Sequence, residues 1–251
     1  MSWEKEDFLF DIKTLNRLIT RHEIKVIGSE LSNLESNLEC NYEEDSWSHV
    51  VKNIELVLEE SISGTIPVDI EEFHFFLTVH FIMDEAKDCT THDPFYNGKV
   101  NFKGEEGIDA YSLQIEIEGH SLEGEYTNTW HLDRHITGGG VAKVVHPFYH
   151  FQNGGHKIEE KPVDTGKIVF TGAPRIPHPP MDIILGFHFI VNNFFNKNSS
   201  QNISNLLGDT EYEELITRAQ NRMWKPYYNA FNGGNHNDYT IDNITPLYTV
   251  H

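Results

Sequence analysis

The sequence predicts an α+β protein, and three observations carry that reading. Apolar residues recur at three- and four-residue steps towards both ends of the chain, they alternate with polar residues through the middle, and turn residues separate the alternating segments. The expected architecture is a set of N-terminal helices, a four- to five-stranded antiparallel meander, then two C-terminal helices, all in one domain over 1–251. Within it, 1–95 reads as a mainly helical acidic part and 96–172 as a His-rich antiparallel sheet. Residues 173–251 read as a Pro-rich crossover, two helices and an irregular tail.

The first helix follows from Phe8, Ile12, Leu15, Leu18 and Ile19, which form one apolar stripe. Leu31, Leu34 and Leu38 repeat the pattern over 29–39. A third helix is expected over 45–61, where Val50, Val51, Ile54, Val57 and Leu58 follow good capping residues. Over 69–88, Ile70, Phe73, Phe76, Leu77, His80 and Phe81 fit a fourth helix, although the aromatic density also suits strands.

The period then becomes two. Tyr111, Leu113, Ile115 and Ile117 alternate with Ser112, Gln114, Glu116 and Glu118, which gives a strand with one wet face. A second strand runs from Gly124 to Arg134, with Gly119 to Gly124 as the hairpin connection. Further strands are expected at 143–152, 166–172 and 98–104. Beyond them, "APRIPHPPMD" is extended, because each proline fixes its own φ and biases the preceding residue away from helix. It leads into an apolar helix at 181–196. A last helix starts at Asp209 or Thr210 and buries Leu215, Ile216, Ala219 and Met223.

The totals narrow the function classes. The net charge of −20 is uneven: 1–125 carries −19, 126–200 carries +2, and 201–251 carries −3. Such acidity disfavours non-specific nucleic-acid binding, which needs a cationic surface. The longest apolar stretch, 181–195, is too short for a membrane span and contains Asp182 and His188. The N-terminal residues carry charges at positions 4 to 7 and lack the apolar core of a secretory signal. Two cysteines make no disulfide framework, so a reduced cytoplasmic setting is expected. Cys89 and His92 could pair, but Asp84, Glu85, Asp88 and Asp93 would hold the thiol protonated.

The chemistry-bearing stretch is "TWHLDRHITGGGVAKVVHPFYHFQNGGH" (129–156), with five histidines between positions 131 and 156. Residues two apart on a strand share a face, so His131 and Asp133 project together, as His146 and His150 do from the next strand. If the two strands pair, the four groups converge. Neutral imidazoles with a carboxylate are a ligand set for Zn²⁺, Mn²⁺ or Fe²⁺, and histidine also suits proton transfer. His131, Asp133, His146 and His150 are therefore the candidate metal ligands and catalytic groups. Arg134, Gln152, His156, Arg175 and His178 are candidate substrate-binding groups around them. The bland alternative is a polar cross-strand ladder. No His-Glu-x-x-His, P-loop, nucleophile-elbow or dinucleotide motif is present.

Over about 70–230 the order of elements resembles that of ubiquitin-conjugating enzymes and their non-catalytic relatives: a helix, a four-stranded meander, an extended His-Pro segment, then two helices. The residues carrying it are "VVHPFY" (144–149). Such enzymes place a nucleophilic cysteine after their His-Pro, and here none follows His146, so the resemblance implies a binding-only relative. The expected function is accordingly a soluble acidic interaction component of a multi-protein, bacterial-type system, docking another protein through its acidic helical half. A metal-dependent hydrolase of phosphodiesterase or nuclease type and an acidic nucleic-acid mimic or inhibitor are the alternatives.

Overall fold

The computed structural model describes residues 5–40, 46–65, 69–84, 90–92, 99–101, 108–134, 147, 149–154, 158, 175–198 and 200–229. The described elements run α1 (Lys5–Arg21), β1 (Val26–Ile27), α2 (Glu30–Cys40), β2 (Ser46–Leu58), β3 (Glu72–Asp84), β4 (Thr90–His92) and β5 (Lys99–Asn101). They continue with β6 (Ile108–Ser121), β7 (Gly124–Arg134), β8 (Tyr149–Asn153), β9 (Ile176–Pro177), α3 (Ile183–Phe194), α4 (Gln201–Leu207) and α5 (Thr210–Asn229). Seven strands form one antiparallel sheet in the order β1-β2-β3-β6-β7-β8-β9, while β4 and β5 pair separately. The sheet is thus wider than the four or five strands expected.

Two segments read as helices are strands, so among the described residues of 1–95 there are two helices and the part is not mainly helical. The cause in β2 is a bulge. Val51 faces Val79 and Ile54 faces Leu77, so three steps on β2 match two on β3. Asn53 sits inside it at φ 58, a left-handed backbone that asparagine tolerates. Its N–H donates to Thr78 Oγ1 at 3.1 Å. The extra residue turns a two-residue alternation into the spacing Val51, Ile54, which mimics a helical stripe. In β3 the buried set is Phe73, Phe75, Leu77, Val79 and Phe81, a strict period of two. The helix that opens the ubiquitin-conjugating order is therefore a strand here. Of the strand expected at 98–104, Lys99–Asn101 form β5 in the small sheet, and 98 and 102–104 lie outside the described residues. Residues 143–146 and the expected strand at 166–172 lie outside the described residues.

One face of the large sheet is predominantly apolar. The register Leu56–Phe75–Ile117, Ile54–Leu77–Ile115–Trp130, Val79–Leu113–Leu132 and Phe81–Tyr111 aligns buried side chains across it. α3 lies on that face. It buries Ile183, Ile184, Leu185, Phe187, Ile190 and Val191, so it is apolar almost all round, as a helix sandwiched between layers must be. Gly186 allows the close approach: a Cβ there would meet Leu113 Cδ1 at 2.9 Å and Leu77 Cδ1 at 3.1 Å. α1 and α5 cover the outer side of α3, with Phe8, Ile12, Leu15, Leu215, Ala219 and Met223 buried. Among the described residues the C-terminal region holds three helices, because α4, capped by Ser200, precedes α5. The cap of α5 is Asp209, whose Oδ1 accepts from Glu211 N at 2.9 Å.

A buried ion network ties these helices together. Asp11 of α1 accepts from Arg218 Nε at 2.7 Å and from Arg222 Nη1 at 2.8 Å. Arg222 Nη2 donates to Asp182 Oδ2 at 2.8 Å, and Asp182 Oδ1 caps α3 by accepting from Leu185 N. Asp11 is 1% and Asp182 0% exposed. Burial works against the charge on Arg222, but the two carboxylates outweigh it and raise its pKa. Removing one partner from such a network leaves a charge buried without compensation. Arg222→Met should therefore lower unfolding free energy by about 3–5 kcal/mol, read as a shift of the urea midpoint. A loss under about 1 kcal/mol would show that water reaches these carboxylates and that the network is not structural.

Candidate functional site

The opposite face of the sheet is polar, and the register arranges it in rows. One row runs Val50, His80, Ser112, Asp133, His150 and Pro177. The next runs Thr78, Gln114, His131 and Gln152. These positions follow from strand alternation: each lies between two residues of the apolar face. His80 and His150 are buried at 2% and 3% exposure, and Gln152 and Thr78 are nearly so. The rows are therefore a partly buried polar layer, with His131 and Asp133 half-buried and Val50 exposed at one end.

His131, Asp133 and His150 meet where the rows adjoin. Each can offer a ligand atom such that the three atoms lie within 4.8 Å of one another. His131 Nε2 is 3.4 Å from Asp133 Oδ2, and the two imidazole rings stand edge to face with centroids 6.4 Å apart. In a tetrahedral zinc site, ligand atoms about 2.1 Å from the metal are about 3.4 Å from each other. The His131–Asp133 spacing already has that value.

His131 is held by its other nitrogen. Nδ1–H donates to the Gly154 carbonyl at 3.2 Å, which directs the Nε2 lone pair towards Asp133. A lone pair facing a carboxylate oxygen is repulsive unless a proton or a cation lies between them. The same carbonyl accepts from Thr129 Oγ1 at 2.8 Å, and Gly154 N donates back to Thr129 O at 2.8 Å. Gly154 adopts φ +87, where any side chain is strained, so glycine is required to aim its carbonyl at His131. Asn153 Nδ2 adds hydrogen bonds to Asn128 Oδ1 and Thr129 O. Thr129, with 1% exposure, is thus a support for the imidazole.

The remaining sequence candidates divide by face. Gln152 faces His131, and the step from Ile176–Phe151 to the next pair sets Arg175 beside Gln152. Arg134 points the other way: it pairs with Tyr149 on the apolar side, and its guanidinium lies 6.0 Å from the Tyr149 ring centre. The parity of 131, 133 and 134 carried that distinction. His178 is also on the helix side. Its N–H donates to Tyr149 O, its ring packs 5.5 Å from Phe151, and its Nδ1 donates to Pro179 O at 2.6 Å. Burial lowers its pKa. That placement depends on β9, a two-residue strand that no periodicity reveals. His146, His156 and Cys89 lie outside the described residues. His80, Ser112 and Gln114 are additions that sequence reasoning missed, because β3 read as a helix and the wet side of β6 was treated as surface.

Farther along the same face, His74 bridges two carboxylates. One ring nitrogen bonds Glu55 Oε1 at 2.6 Å and the other bonds Glu72 Oε1 at 2.8 Å, with the His120 ring 5.0 Å away. Partial burial works to lower its pKa, but the bonds to Glu72 and Glu55 outweigh it and the pKa is raised.

No protein-family model, curated protein or solved structure matches this chain. Among the described residues, no helix is long and apolar enough to cross a membrane.

Because the folded state holds the His74 proton more tightly than the unfolded chain, this group stabilises fully below its unfolded pKa. The contribution is lost as pH rises through the higher, folded value. A proton-detected histidine titration should place His74 above the ordinary histidine range, and Glu72→Gln should lower it. An ordinary pKa in the unmodified protein would mean that the two carboxylates do not grip the ring.

Proposed function

We propose that the protein binds a divalent transition metal through His131, Asp133 and His150, and uses it as the centre of a metal-dependent hydrolase. The observation that carries this is the convergence of two imidazoles and one carboxylate on the sheet's polar face, one imidazole being oriented through a backbone carbonyl. Three protein ligands leave a position for water, which is the arrangement of catalytic rather than structural zinc. Two histidines and a carboxylate also suit Fe²⁺ or Mn²⁺. An ion held by His131, Asp133 and His150 would supply a Lewis acid and a water of lowered pKa for the hydrolysis of an ester. In such a hydrolysis one water would be consumed, its hydroxyl passing to the acid product and its proton to the leaving alcohol oxygen.

The chain's own residues supply the framework. Gly154 and Thr129 fix the His131 tautomer, so Nε2 is free to ligate. Asp133 neutralises part of the ion's charge. Ser112 and His80 lie next in the same row and can hold the outer oxygen of Asp133 or pass a proton. The reading as a nucleic-acid mimic rests on the charge of 1–125 alone, and the reading as a docking component on that charge and the resemblance in element order.

Protein purified without chelators should carry close to one equivalent of zinc, manganese or iron by elemental analysis. His131→Ala, Asp133→Ala and His150→Ala should each lose it, while Thr129→Val should weaken affinity about 10–100-fold. A metal content below about a tenth of an equivalent, after dialysis against each ion in turn, would end the hydrolase reading.

A further inference from the structure

We infer that Arg175 and Gln152 form a phosphate subsite beside His131, so that the substrate class of this centre is a phosphate ester. The inference rests on the metal reading above and adds to it the group that the metal would act on.

The first observation is one unsatisfied N–H of a guanidinium. Arg175 Nε is buried and has no hydrogen-bond partner, and among the described residues no carboxylate pairs with this side chain. A buried N–H left unmade costs on the order of 1–3 kcal/mol, more when charged, so each such group calls for an explanation. Arginine pairs with oxyanions through two parallel N–H groups, and Nε is one of the donors in that fork.

The second observation is where it stands. Pro177 faces His150 and Ile176 faces Phe151, so Arg175 takes the next step, beside Gln152, whose own partner is His131. The two-residue period puts Arg175 on the same face as Pro177, and hence on the face of the three histidine and aspartate ligands. Neighbouring strands lie about 4.8 Å apart, which puts Arg175 and His131 about 10 Å from backbone to backbone. An extended arginine side chain covers most of that distance. Gln152 lies between them, 7% exposed, and among the described residues none bonds its amide, which leaves an N–H₂ for a ligand oxygen.

The third observation is charge. A divalent ion, the Asp133 carboxylate and the Arg175 guanidinium sum to about +2 with neutral imidazoles, which matches a phosphate monoester dianion. Two cationic centres on adjacent rows also fit a tetrahedral group that presents oxygens to both. In phosphoryl transfer such clamps stabilise the charge on the equatorial oxygens.

The test uses the full chain after metal exchange, with metal content and phosphate affinity measured on the same samples. Inorganic phosphate is titrated calorimetrically into the unmodified protein, Arg175→Met, Arg175→Lys and Gln152→Leu. Arg175→Met should keep its metal and bind phosphate about tenfold or more weakly, the lysine variant should recover part of the loss, and Gln152→Leu should fall between. With p-nitrophenyl phosphate as the substrate, the loss should appear mainly in KM. Unchanged phosphate affinity in Arg175→Met, or no binding by the metal-loaded protein at millimolar phosphate, overturns the subsite while the metal centre stands. If no metal is retained, the metal reading fails by that measurement, and phosphate binding sensitive to Arg175→Met still decides the subsite on its own.

Discussion

Strand alternation across a wide antiparallel sheet is the constraint on which the rest of this structure depends. Successive side chains point to opposite faces, and antiparallel pairing carries that division from strand to strand without loss. From β2 to β8 the register keeps one face apolar and the other polar. The apolar face collects helices, because an amphipathic element has nowhere else to bury its stripe. The polar face collects imidazoles, hydroxyls, amides and carboxylates in rows. A one-residue slip of any ladder would exchange the two sets and lose both.

The chemistry on the polar face comes from how strongly its parts are oriented. His131 and Asp133 share a face because they are two apart on β7, and His150 joins them because β8 pairs in register. That much places three ligand atoms near one point. The tautomer of His131 is a separate matter, set by a carbonyl that only a glycine at φ +87 can present. Thr129 then bonds the same carbonyl from within the layer. An imidazole held in this way has one nitrogen committed and one directed at a carboxylate, an arrangement that favours a cation between them.

On the helix side, charge takes a structural role. Asp11, Arg222 and Asp182 join α1, α5 and the start of α3 inside a layer that is otherwise apolar. Asp182 both caps α3 and accepts from Arg222, so the direction of the central helix is tied to the position of α5. At the periphery, Arg17, Arg21 and His22, at the C-terminal end of α1, meet Asp209 and Glu211 at the start of α5. Basic groups at one helix C-terminus and acidic groups at another N-terminus complement both dipoles. Part of the acidity of this chain is thereby used inside the fold, and net charge alone overstates what the surface offers to a partner.

The sequence by itself determined those elements whose period is unbroken. The stripe of α1, the alternation of β6 and β7, the hairpin between them and the buried side of α5 follow from local spacing, because one face of each is predominantly apolar. The same parity put His131 and Asp133 together, whereas His150 joined their side only through the pairing of β8 with β7. The tertiary structure alone decided the rest. A bulge at Asn53 made β2 imitate a helix, and β3 satisfies both periods in its apolar residues, so pairing with β2 and β6 had to choose between them. Arg134 and His178 turn to the helix face, and His80 joins the polar layer, through strand partners distant in sequence. Which face of a strand is buried depends on what packs against it, and that information resides in contacts between segments rather than in any one of them.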